Sequence, residues 1–221
     1  GHPHRSISLI NLANAVIARY DQLGRVEDLE DAISYNREAL AFYPLGHPHH
    51  STSLNNLANT VVARYKQLGR MEDLDEAISY HREALTLHSL GHPDRSMSLN
   101  NLANAVHTRY KQLGRMEDLE EAISYHREAL TLRSLGQPDR SGSLINLADA
   151  VLTRYSQLGR MEDLEEAISY NREALTLRPL GHPDRSMSLN NLANAVLTRC
   201  ELLGRMEQPC ECCAHSLRAV G

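Results

Sequence analysis

The sequence predicts an all-α chain built as a solenoid of 45-residue helical hairpins. Three observations carry that prediction. The text beginning GHPDRS recurs without insertion or deletion, its opening glycine returning as Gly1, Gly46, Gly91, Gly136 and Gly181. A fixed period of this size marks a stacked-repeat architecture rather than one globular core. Within each period the apolar residues follow helical spacing, and a glycine closes each run.

The third copy, Gly91 to Leu135, serves as reference. From Leu99 the apolar positions are Leu99, Leu102, Ala103, Val106, Tyr110 and Leu113, the stripe of an amphipathic helix. This first helix is expected from Asp94 or Ser96 to Leu113, with Gly114 in the left-handed conformation after it. Asp118-Leu119-Glu120-Glu121 then reads as a capping box, Asp118 accepting from first-turn amides and Glu121 reaching back. Carboxylates from Glu117 to Glu121 also suit the positive end of a helix dipole. The second helix carries Leu119, Ala122, Ile123, His126, Ala129 and Leu130 on one stripe and is expected to reach about Leu132, with Gly136 closing it.

In chain order, residues 1–207 form the array, with copies at 1–45, 46–90, 91–135 and 136–180 and a partial copy at 181–207. The first residue is Gly, already inside a repeat, so the sequence is expected to start mid-array, as a fragment or a truncated gene model. The first copy differs by Ile10 and its Phe42-Tyr43-Pro44 ending, and the second opens His47-Pro48-His49-His50. The fourth has Gln137, Ile145, Asp149 and Gly142, the last expected to weaken its helix start by roughly 1 kcal/mol or less. In the fifth, Gln208 and Pro209 replace the capping Asp and the first stripe Leu, and Cys212-Cys213 replace Ala-Ile. A degenerate tail at 208–221, frayed from Cys210 onward, is the expectation, with the preceding first helix serving as an end cap.

Composition narrows the function classes. Net charge is −5, which gives no basic stripe for nucleic acid. Trp is absent and Phe42 is the one phenylalanine, so the core must be Leu, Ala, Ile and Val with Tyr wedges. No apolar run long enough for a transmembrane helix and no signal peptide is visible, so neither membrane nor nucleic acid is an expected partner, and a cytoplasmic address fits. All four cysteines lie after residue 199, which rules out a disulfide framework for the repeats.

These residues resemble a tetratricopeptide repeat. Leu102-Ala103 stand where that consensus has Leu and a small residue, and Ala122 and Ala129, seven residues apart, match its paired alanines. Leu130 follows the second alanine, and Pro44 and Pro179 match the closing proline, replaced by Ser89 and Ser134 elsewhere. The usual period is about 34 residues, and the longer form with LNNLA and HPD resembles the kinesin-light-chain type. The run LNNLANAVxTRYxQLGRxEDLEEAIxxxREAL is similar to arrays beside CHAT (caspase-like) protease domains and NTPase modules in fungi. The resemblance implies an α-α superhelix whose first helices line a concave groove.

The candidate site on that reading is a ladder of asparagines opposite the apolar stripe. It comprises Asn11 and Asn14, then Asn55, Asn56 and Asn59, then Asn100, Asn101, Asn104, His107 and Thr108. Asn146 and Asp149 continue it in the fourth copy, and Asn190, Asn191 and Asn194 in the fifth. A carboxamide both donates and accepts, so a grid of them suits the backbone of an extended peptide. His107, Leu152 and Leu197 would tune side-chain preference. The alternative, that some of these side chains bridge neighbouring helices, stays open, and separately for Asn101 and Asn104.

Other polar positions read as structural. Arg19, Arg64, Arg109, Arg154 and Arg199 are expected to pair with the acidic start of the second helix or to meet a helix carboxyl terminus, rather than hold an acidic ligand. His81 and His126 interchange with Asn36 and Asn171, which favours interhelical polar residues over catalysis. Loop histidines His2, His47, His92 and His182 should lie about 10 Å apart, too far for one ion. Cys200, Cys210, Cys212, Cys213 and His215 are too crowded for the paired spacing of zinc ligands, and lack an oriented third group for nucleophilic catalysis. No enzyme activity, cofactor or metal is therefore expected. The expected role is a protein-interaction scaffold for a peptide segment. The alternative is a sensing or autoinhibitory arm that binds another domain of its own parent CHAT-type protease or NTPase.

Overall fold

A computed structural model describes residues 5–134, 137 and 139–204. Among them are nine helices and no strand: α1 (Arg5–Leu23), α2 (Val26–Ala41), α3 (His50–Leu68), α4 (Met71–Thr86), α5 (Arg95–Leu113), α6 (Met116–Thr131), α7 (Arg140–Leu158), α8 (Met161–Thr176) and α9 (Arg185–Gly204). The architecture is the all-α array of consecutive helical hairpins that the period predicts. The tail from residue 208, with its cysteine cluster and the expected fraying from Cys210, and the closing Gly136 lie outside the described residues.

The chain divides into two compact units, Gly1–Ala129 and Leu130–Gly221. In the first, each hairpin is sealed by its own leucine and alanine stripe and docks on the next through the same residues. Ile33 of α2 packs with Leu57, Ala58 and Val61 of α3 and Ala77 of α4. Tyr65, Leu74 and Ile78 then meet Leu102, Ala105 and Val106 of α5 and Ala122 of α6. In the second unit, Leu164 and Ile168 of α8 pack with Ala195 and Val196 of α9. Leu57, Leu74, Leu102, Leu119 and Leu147 are fully buried, each contributing roughly 1.5–3 kcal/mol. The paired alanines Ala122 and Ala129 have no exposed surface.

Helix ends follow the sequence in part. Gly24, Gly69, Gly114 and Gly159 close the first helices at φ 66°, 69°, 66° and 65°, a left-handed conformation only glycine adopts without strain. The second helices, however, do not begin with a capping box. α2, α4 and α8 are preceded by Arg25, Arg70 and Arg160 in extended conformation, with no side-chain capping bond, and the helix starts before the expected Asp. The carboxylate that would cap is taken by an arginine instead. Asp118 accepts from Arg109 Nε at 3.0 Å and Nη2 at 2.7 Å, while Glu121 accepts from Arg82 and Tyr125. A charge-assisted two-point bond outcompetes a single amide bond at the helix start.

Gly142 sits inside the first turn of α7 without shortening it: α7 and α5 each have 19 residues. No described helix is long and apolar enough to cross a membrane.

Candidate functional site

Successive residues of a helix are rotated by about 100°, so neighbours in the ladder cannot share one environment. With the apolar stripe at Leu99, Leu102, Ala103, Val106 and Tyr110 as reference, Asn101, Asn104 and Thr108 point away from it. Asn100 and His107 instead lie on its flank, about 80–100° round. Burial follows that rotation. Asn59, Asn104, Asp149 and Asn194 are exposed, and Asn56, Asn101, Asn146 and Asn191 are half-buried. Asn11 and Asn14 of α1 are exposed too. Among the described residues, no side-chain hydrogen bond engages the carboxamides of Asn11, Asn14, Asn56, Asn59, Asn101 and Asn104. In the first unit α3 and α5 touch, which brings the outward residues of the two helices onto neighbouring rows.

Among the flank residues Asn55 and His107 are buried and Asn100 is half-buried against α6, and for these three the groove assignment is corrected. Asn55 is 3% exposed; its Nδ2 donates to Ser98 Oγ at 2.8 Å, and its Oδ1 accepts from His81 Nδ1 at 2.9 Å. One carboxamide thereby ties α3 to α4 of its own hairpin and to α5 of the next. Asn100 makes the same bond within its own hairpin, its Oδ1 accepting from His126 Nδ1 at 3.0 Å. Asn190, at the same position of α9, is exposed. His107 is buried with its ring stacked on Tyr110, so it cannot sense a ligand's side chain from the surface. Leu152 packs into the core under α8, whereas Leu197 stays exposed. The hydroxyls of Thr108, Thr153 and Thr198 donate to the carbonyls of Asn104, Asp149 and Asn194, so each spends its proton on its own helix.

His81 and His126 are thus interhelical polar residues. Burial pushes the His81 imidazole down to about 4, so it is neutral near pH 7 and donates from Nδ1. The copies carrying Asn at this position differ on the facing helix as well. Asn36 and Asn171 sit opposite Ile10 and Ile145, whereas His81 and His126 sit opposite Asn55 and Asn100. Asn36 turns instead to the following hairpin, its Nδ2 donating to Thr60 Oγ1 at 3.1 Å. This paired substitution is visible in the sequence, and it is the signal that separates bridging asparagines from outward ones.

The recurring arginines tie helices together, within one hairpin at Arg19 and Arg154 and back to the preceding hairpin at Arg64, Arg109 and Arg199. Arg19 grips Asp28 through Nε and Nη2 at 3.1 and 2.6 Å, and holds the Asp28 carboxyl below its ordinary range through that hydrogen bond. Arg154 grips Asp163 the same way. Arg64 adds a second anchor: Nη2 donates to Asp73 at 2.6 Å and Nη1 to Glu30 of the preceding hairpin at 2.8 Å. Arg109 reaches back to Asp75 at 3.2 Å, and Arg199 to Glu165 at 3.1 Å. With their protons directed to carboxylates of the array, these arginines do not form an anion-binding row.

What remains exposed on the first helices is a hydrogen-bonding surface of carboxamides, with Asp149 the carboxylate among the ladder positions. It is the surface of a TPR-like repeat array, and the fold is shared with solved proteins. One is the crystal structure of nearly identical TPR-like repeats from a Podospora anserina protein described as a kinesin light chain. It matches with TM-score 0.66 and 22% identity over 99% of this chain and 96% of that one. A variant of that protein matches with TM-score 0.65 and 22% identity over 90% and 88% of the two chains. The MamA protein matches with TM-score 0.54 and 14% identity over 87% and 81%. No protein-family model and no curated protein matches the chain.

Proposed function

We propose that the chain is a non-enzymatic protein-interaction scaffold that holds an extended peptide along the outward faces of its first helices. The observation that carries this reading is the set Asn56, Asn59, Asn101 and Asn104. These side chains are polar and outward-facing, and no hydrogen bond within the described protein engages them. Asparagine is a mediocre helix former, so its recurrence where no internal bond requires it supports a bond to something else. Carboxamides in two neighbouring rows match the alternating donors and acceptors of an extended main chain. They read backbone rather than side chains, which gives broad acceptance and leaves selectivity to exposed positions that vary between copies, such as Thr52 and Met97.

The test is a binding measurement with peptides recovered by display selection on the full chain. Asn56→Ala with Asn101→Ala should weaken the selected peptides at least about tenfold, equivalent to 1.4 kcal/mol, with helicity and thermal midpoint unchanged. Equal affinity in the double variant would remove the reading. So would selected peptides that compete only at the second helices.

A further inference from the structure

The connection between α4 and α5 holds a group of side chains that the loop spacing alone does not reveal. His88, two residues beyond the end of α4, is 3% exposed, and its ring stacks on that of His92 with centroids 4.2 Å apart. His88, His92 and Asp94 each offer a ligand atom, and these atoms lie within 4.8 Å of one another. Distances among the loop histidines do not report this group, because they compare one connection with the next, whereas His88, His92 and Asp94 lie within a single connection.

The same position in other connections shows what kind of group the pocket accepts. Arg133 occupies it in the second unit, donating from Nη1 to Ser143 Oγ at 2.7 Å and to the Asp139 carbonyl at 2.5 Å. Arg178 does likewise, to Ser188 Oγ and the Asp184 carbonyl, both at 2.9 Å, and to Ser141 Oγ at 3.2 Å. Hydroxyl and carbonyl oxygens therefore converge on a positive charge. Between α4 and α5 an imidazole replaces the guanidinium, and a carboxylate and a second imidazole stand beside it. Between α2 and α3 the corresponding residues are Tyr43, His47 and His49, with no carboxylate.

We propose that His88, His92 and Asp94 form a binding site for a divalent transition-metal ion, zinc being the best fit. Two imidazole nitrogens and one carboxylate oxygen are a common zinc set, with water completing the tetrahedron. The surroundings already orient the buried ligand. Ser51 Oγ lies 2.8 Å from His88 Nε2 and Ser98 Oγ 3.0 Å from Nδ1, so one serine keeps its bond while the other yields its nitrogen to the ion. Arg95 Nη1 donates to the His88 carbonyl at 2.8 Å and fixes the backbone beneath. Zinc–ligand bonds of about 2.0–2.2 Å require the three atoms to draw closer than they now stand. His92 and Asp94 are half-buried side chains of the connection and can rotate to do so, breaking the ring stack and the 3.1 Å bond from the Asp94 amide to His92 Nδ1. The ion would then clamp the end of one hairpin to the start of the next. This inference stands apart from the peptide-binding reading.

The test is calorimetric titration of zinc into the full chain with Cys200, Cys210, Cys212 and Cys213 replaced by serine, so that thiolates cannot bind it. One zinc per chain should bind at micromolar concentration and raise the thermal midpoint, and cobalt should give visible bands without thiolate charge transfer. His92→Ala and Asp94→Ala should each weaken zinc at least about tenfold. His88→Arg, which installs the residue this position carries as Arg133 and Arg178, should abolish binding and leave the midpoint in chelator unchanged. Absence of zinc binding up to millimolar concentration overturns the proposal. So does zinc binding that survives both His92→Ala and Asp94→Ala, which would place the ion among His47, His49 and His50.

Discussion

The hairpins α3–α4 and α7–α8 have nearly the same text, yet their interiors solve one problem in opposite ways. In α3–α4 the position between the helices is polar on both sides: Asn55 faces His81, and Ser98 of the next hairpin completes the set. In α7–α8, Ile145 stands where Asn55 does and packs with Ala174. Asn171 then turns its Nδ2 to the Ala167 carbonyl of its own helix at 3.0 Å, and its buried Oδ1 has no hydrogen-bond partner. Ala195 occupies on α9 the position from which Thr60 serves Asn36. Repeat arrays are often treated as sums of equal units. Here the units are interchangeable in their apolar stripe and individual in their buried polar contacts.

The largest effect separating the two hairpins should appear in acid. His81 titrates near 6.5 in the unfolded chain and at about 4 when folded. Between those values the unfolded chain binds more protons, so stability is complete above pH 6.5 and falls as the pH drops toward 4. The shift corresponds to a loss on the order of 3 kcal/mol. Urea unfolding of the full chain at about pH 7.5 and about pH 4.5, on either side of the unfolded-state value, should show it as a drop in midpoint. His81→Asn, which gives α4 the residue α8 carries, should flatten part of that slope. A slope unchanged by His81→Asn would mean that the imidazole takes up its proton in the fold as readily as in the unfolded chain.

A smaller effect tests whether the two interiors are alternatives that must be exchanged whole. Asn55→Ile alone copies Ile145 into α3, leaves the His81 Nδ1–H without a partner and takes from Ser98 one of its two, the bond to His88 remaining. That should cost about 2 kcal/mol, the penalty for a buried polar group left unsatisfied. Adding His81→Asn should recover about 1 kcal/mol of it, a coupling of the size expected for residues in contact. Strict additivity in the cycle would show that the co-occurrence of Asn with His and of Ile with Asn is accidental.

The same contrast explains what is legible in the sequence. Period, apolar stripe and closing glycine are one-dimensional signals, and they place α3 through α8 to within a residue or two. The start of the second helices is harder to place, because Asp118 satisfies two local rules, capping and ion pairing. Only the arrival of Arg109 from the preceding helix decides between them. The asparagine pair Asn100-Asn101 looks like one surface in the text, although one residue of rotation sends the first toward His126 and the second outward. Which flank is covered depends on the neighbouring hairpin, and a stripe within one helix does not report that. The His88 group escapes for a related reason: its three members lie within one connection, and the 45-residue spacing compares one connection with the next.

The smallest effect should have the opposite sign. The Oδ1 of Asn171 is buried without a hydrogen-bond partner, and the facing Ile145 offers none. Replacing a poorly satisfied buried polar group by an apolar one of similar shape is often neutral or stabilising. Asn171→Leu should therefore raise the stability of the full chain by up to about 1 kcal/mol, read as a higher urea midpoint at constant slope. His81→Leu in the other hairpin should instead lower it by about 2 kcal/mol, since Asn55 would lose its donor while remaining buried. If both substitutions moved stability in the same direction, the two hairpins would not differ in polar satisfaction. The distinction drawn from Asn55 and Ile145 would then fail.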